Sequence, residues 1–92
     1  MDETALLQEF ELLAERLSVK VRYAILEREG GLCRYRGDCH LIINKRLNTE
    51  GRIALIARAL ADFPLDDVFL IPAIREALDA YRTVRVSERE NA

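Results

Sequence analysis

The sequence predicts an α+β fold, a single small domain in the order α-β-β-β-α-α, with a three-stranded antiparallel sheet packed against helices. Three observations predict it. Apolar residues recur at spacings of three and four over 3–17, 49–63 and 72–82, the mark of amphipathic helices. The spacing switches to two over 19–25, and a hairpin pattern follows in LCRYRGDCHLIIN. Gly30-Gly31, Gly37, Pro64 and Pro72 punctuate these stretches where elements should end or begin. Ninety-two residues suit one domain. A chain of that size buries only roughly 60–65% of the surface its unfolded form exposes, so its stability margin is thin.

In the first helix, Leu6, Phe10, Leu13, Ala14 and Leu17 form one stripe, with acids between them and Arg16 in the last turn, as the helix dipole favours. Val19, Val21, Tyr23 and Ile25 then alternate with Ser18, Lys20, Arg22 and Ala24, giving a strand with one buried face. A two-residue turn at Gly37-Asp38, of type II′ with glycine first, would pair Arg36 with Cys39 and Cys33 with Ile42. Cys33 and Cys39 would then point to opposite faces, a poor geometry for a disulfide.

Asn48 is an N-cap residue with Glu50 in the first turn, so a second helix is expected from about 49 to 63. Ile53, Ile56, Ala57, Leu60 and Phe63 make its stripe, and Ala54, Leu55, Ala59 and Ala61 cover most of the rest. A helix so apolar all round must be covered on two sides, by the sheet and by either the last helix or a second subunit. Pro64 ends it, and LDDVFL is a connector, extended or a single turn. Pro72 opens the final helix, with Ile74, Ala77, Leu78 and Tyr81 buried. The polar stretch 83–92 is expected to fray.

Half of the residues are apolar and a third are charged, a globular composition. No apolar run approaches the ~18 residues that span a membrane. The acidic start, MDETALLQEF, lacks the basic region of a secretory signal, so a cytoplasmic location is expected. Two cysteines are too few to staple a small fold, and their C-x5-C spacing fits no standard zinc or redox pattern. His40 is the only histidine, which excludes metal sites built from several of them. No cofactor is expected.

The net charge of −2 is unevenly spread. Residues 1–15 carry five acids and no base, whereas residues 16–58 carry ten bases against four acids. Such runs are most often solvated faces, but a basic segment can also attract an acidic partner.

The order helix, three strands, helix, with INKRL leading to a polar cap and then a helix, resembles the N-terminal part of ImmA/IrrE-type zinc metallopeptidases over about residues 3–63. In that family the helix carries His-Glu-x-x-His. The resemblance implies two histidines one turn apart holding zinc and a glutamate activating its water. Here the matching positions hold Arg58, Asp62 and Ala59. A guanidinium has no free lone pair for a metal and a methyl group is no base, so this chain reads as a degenerate member without peptidase chemistry. Arg58 and Asp62, at i and i+4, can instead form an ion pair.

A cysteine nucleophile is a weak reading, since neighbours along a strand face opposite ways and His40 is not brought onto Cys39. The expected function is therefore a non-catalytic module for protein–protein interaction or self-association. The candidate surface is Leu55, Arg58 and Asp62, or the hairpin arginines Arg34 and Arg36. The alternative is nucleic-acid binding through the basic segment 16–58, with Tyr35 stacking on a base.

Overall fold

A computed structural model describes residues 1–91, with side chains through Tyr81. Helix α1 (Glu3–Arg16) starts where Asp2 Oδ1 accepts a hydrogen bond from the Ala5 N–H at 2.8 Å, satisfying one of the free amides of the first turn. Its buried residues are Leu7, Phe10, Leu13 and Ala14, with Leu6 and Leu17 packed at the margin. Ser18, at φ 61°, turns the chain directly into strand β1 (Val19–Ala24). Strands β2 (Gly30–Tyr35) and β3 (Asp38–Asn44) follow, then helix α2 (Thr49–Leu60) and helix α3 (Pro72–Asn91). The polar tail expected at 83–92 falls on residues whose side chains lie outside those described.

The sheet is mixed, not antiparallel throughout. Its order is β1-β3-β2, with β1 parallel to β3 and β2 antiparallel to β3. Burial explains why β3 takes the centre. Leu41 and Ile43 are fully buried on one side and Ile42 is half-buried on the other, whereas β2 is largely exposed and suits an edge. To reach that edge, the link 25–29 must cross the end of β3. Asn44 holds it there. Its side-chain Nδ2 donates to the carbonyls of Leu26 at 3.0 Å and Arg28 at 2.9 Å, and its Oδ1 accepts from the Arg46 N–H at 3.0 Å. The backbone adds two bonds, Asn44 N–H to the Glu29 carbonyl and Lys45 N–H to the Ala24 carbonyl. Asn44 is the one buried polar residue among those described, and its bonds satisfy groups that would otherwise be stranded from water.

The hairpin also differs in register from the expectation. Its loop is Arg36-Gly37, with φ of 52° and 82°, so both central residues are left-handed, as a type I′ turn requires. Glycine takes the second position rather than the first, and Tyr35 pairs with Asp38, Arg34 with Cys39 and Cys33 with His40. Each residue's partner moves two places along the opposite strand, which leaves its face unchanged. Cys33 and Cys39 therefore still point to opposite sides of the sheet, and both are free thiols.

Helices α1 and α2 cover one face of the sheet, and α3 packs on those two helices rather than on any strand. Val19, Val21, Tyr23, Cys39, Leu41 and Ile43 turn toward them and join the core. Helix α2 buries Leu55, Ile56, Ala57 and Leu60 against the sheet, α1 and α3. The cover for its apolar circumference thus comes from within the chain. It ends at Leu60 rather than 63, because Pro64 disfavours helical geometry at the residue before it. The connector 65–71 opens with a turn, the Val68 N–H bonded to the Leu65 carbonyl, and runs on without regular structure to Pro72.

One polar network ties α1, β1 and the start of α2 together. The Tyr23 hydroxyl donates to Glu11 Oε2 at 2.5 Å, and the Arg52 guanidinium lies 4.9 Å from the Tyr23 ring centre. Arg52 also donates to the carbonyls of Leu47 and Lys45, fixing the link into α2. Burial, then the bond to Glu11 and its charge, push the Tyr23 phenol up to about 12, with Arg52 acting the other way.

Candidate interaction site

Strand β2 is an edge strand, hydrogen-bonded on one side only, to β3. Its Leu32 pairs with Leu41 and so faces the helix side, yet it is 43% exposed, because α2 covers only the inner part of β2. A shallow groove of about 270 Å³ results, lined by Gly31, Leu32, Leu55, Arg58 and Ala59. Leu55 is only 5% exposed and forms part of its wall rather than a projecting contact.

Arg58 sits in this groove and donates from Nη2 to Glu29 Oε1 at 2.6 Å. Glu29 belongs to the link that crosses β3, a partner that the i, i+4 spacing to Asp62 does not suggest. Both side chains of the pair remain about half exposed, so it contributes little to stability and serves to orient the guanidinium. Asp62 lies past the end of α2, in the turn before Pro64, and is exposed. Arg34 is on the same side of β2 as Leu32, two residues on, and Arg36 is at the hairpin tip.

Of the five residues the sequence suggested, Leu55 and Arg58 share the groove. Arg34 and Arg36 extend the same strand edge beyond it, and Asp62, past the end of α2, is not among the residues that line the groove. Sequence reasoning missed Leu32 and Glu29. Leu32 carried a signal: on its face of β2 the neighbours at i−2 and i+2 are Gly30 and Arg34, so it is a single apolar residue on an otherwise uncovered strand. Glu29 carried none, since its role follows from the strand crossing.

Arg58 and Ala59 face the groove at the positions that the resemblance assigns to a ligand and a base, and neither can hold a metal or activate water. Among the described residues no group of three or more His, Cys, Asp or Glu side chains is placed to hold a metal ion, and no helix is long and apolar enough to cross a membrane. Comparison with known proteins finds no family model, no curated protein and no solved structure that matches this chain, so its site stands on geometry alone.

Proposed function

We propose that this chain is a non-catalytic cytoplasmic docking module that receives an extended, acidic segment of a partner protein along β2. The observation that carries this reading is Leu32, an apolar side chain left half-uncovered above Leu55 beside an unpaired strand edge. A strand added to β2 would gain main-chain hydrogen bonds, and its alternate side chains would enter the groove. Arg34 points toward the helix side of the edge, where an inward charge discourages indiscriminate pairing and favours a segment of opposite sign. A second copy would bring its own basic edge against this one, which favours a different, acidic protein over self-association. On this reading the chain is a degenerate relative of the ImmA/IrrE-type peptidases, with Arg58, Ala59 and Asp62 in place of the metal motif.

The test is to pan a display library of short random peptides against the immobilised chain, with sedimentation velocity run in parallel. Enriched peptides should alternate acidic and apolar residues. Their binding should be lost in Leu32→Glu and weakened in Arg34→Glu. Peptides that bind Leu32→Glu as well as the parent, or a stable dimer abolished by Leu32→Glu, would each refute an acidic partner on this edge.

A further inference from the structure

The second face of the sheet carries a different chemistry. No described helix packs on it, and it presents Lys20 and Arg22 from β1, His40 and Ile42 from β3, and Cys33 and Tyr35 from β2. Arg22, Cys33, Tyr35, His40 and Ile42 line a hollow of about 290 Å³ whose surface is chiefly apolar. At its rim Tyr35 is 58% exposed, a large aromatic surface left to water. His40 meets the Tyr35 ring edge-on, with ring centres 6.3 Å apart at 64°, and the Arg36 guanidinium lies 5.2 Å from the same ring centre. Lys20 is neutralised by Asp38 at 3.0 Å, across the β1–β3 pair. The cations that remain on this side are Arg22 and Arg36, on opposite flanks of the hollow.

An apolar floor, an exposed aromatic widened by a guanidinium, and flanking cations suit a ligand that is flat, apolar on its faces and tethered to negative charge. We propose that the uncovered sheet face binds single-stranded nucleic acid, with a base seated in the hollow against Tyr35 and phosphates held by Arg22 and Arg36. Stacking on an aromatic ring or a guanidinium plane is how unpaired bases are commonly held, and arginines track the backbone. A duplex hides its base faces and offers nothing to the hollow. A second copy stacked face to face would set two unneutralised basic surfaces against each other, so charge favours a polyanion. Tyr35 and Leu32 project to opposite sides of β2, so this site and the β2–α2 groove are separate surfaces.

The experiment is fluorescence anisotropy with labelled oligouridylate, labelled oligothymidylate and a blunt duplex of the same length. Circular dichroism verifies the fold of each variant. Single strands should bind more tightly than the duplex, with affinity falling steeply between about 50 and 200 mM salt. Tyr35→Ala should weaken binding roughly tenfold. Arg22→Ala should weaken it and flatten the slope of log K against log salt by about 0.7, one phosphate contact on a single strand. Arg75→Ala, which removes the same charge from exposed α3, should change neither affinity nor slope. The proposal is overturned by absence of binding at low salt or by equal affinity for the duplex. It is overturned equally by Tyr35→Ala binding like the parent, or by Arg75→Ala matching Arg22→Ala.

Discussion

Replacing Asn44 with alanine should release the link 25–29 from the end of β3 while leaving every strand residue able to pair. Three side-chain hydrogen bonds are lost, two donated to the Leu26 and Arg28 carbonyls and one accepted from the Arg46 N–H. At about 0.5–1.5 kcal/mol each, they sum to roughly 1.5–4.5 kcal/mol. Asn44 is 7% exposed, so water only partly replaces these bonds, and a loss of about 3 kcal/mol is expected. A domain of this length has a total stability of roughly 5–14 kcal/mol, so the change is a substantial fraction of it. With a urea dependence of about 1–1.5 kcal/mol/M, the unfolding midpoint should fall by roughly 2–3 M. Asn48→Ala supplies the yardstick. It removes a single exposed cap bond, from the Gly51 N–H at 2.8 Å, and should cost about 1 kcal/mol. Equal midpoints for the two variants would refute the view that Asn44 pins the crossing. Asn44→Asp should be worse at neutral pH, because a carboxylate would face two carbonyl oxygens. Acidification should restore part of its stability by protonating that group.

Gly30→Ala should be strongly destabilising, because at φ +119° a Cβ would lie 2.0 Å from the Ile42 carbonyl oxygen, backbone that cannot move without unpairing β2 from β3. A cost of about 3 kcal/mol corresponds to a melting temperature lower by roughly 12–24 °C, and a shift of only a few degrees would contradict the close approach. For Tyr23, the folded state holds the phenol proton to about pH 12, whereas the unfolded chain releases it near 10. Its contribution is therefore complete below about pH 10 and lost as pH rises toward 12. Urea midpoints of Tyr23→Phe should lack this alkaline decline, and parallel declines in variant and parent would exclude the buried Tyr23 phenol as its source.

Local features of the fold were legible because they depend on residues close in sequence. Asn48 caps α2 as its type and position suggest, and Pro72 opens α3. The α1 stripe was legible too, with Leu7 added at its start: Leu6 and Leu7 are adjacent, either continues the spacing to Phe10, and both pack on the core. The strand order was not legible. Alternation in Val19–Ala24 says which face is buried and nothing about the neighbouring strand. What selects β3 is the demand of Leu41, Ile42 and Ile43 for cover, with a crossing held by backbone carbonyls that no residue type announces. The hairpin loop slipped because either Arg36-Gly37 or Gly37-Asp38 could supply a left-handed glycine. At the candidate site, Arg58 was legible as an odd cation on an apolar helix, but its partner Glu29 is 29 positions away and meets it only through the crossing.

The central place of β3 also orders events during synthesis. The first two strands to leave the ribosome are β1 and β2, yet neither is the other's partner, and both wait for the strand made last. At about 5–20 residues per second, β1 waits on the order of a second or more before a sheet can exist. The local β2–β3 hairpin can then close in microseconds, leaving the parallel docking of β1, with α1 attached to it, as the slower long-range step. Helix α1 packs chiefly on α2, which is made later still, so a nascent chain stalled before residue 49 carries an uncovered apolar stripe open to chaperones and to aggregation.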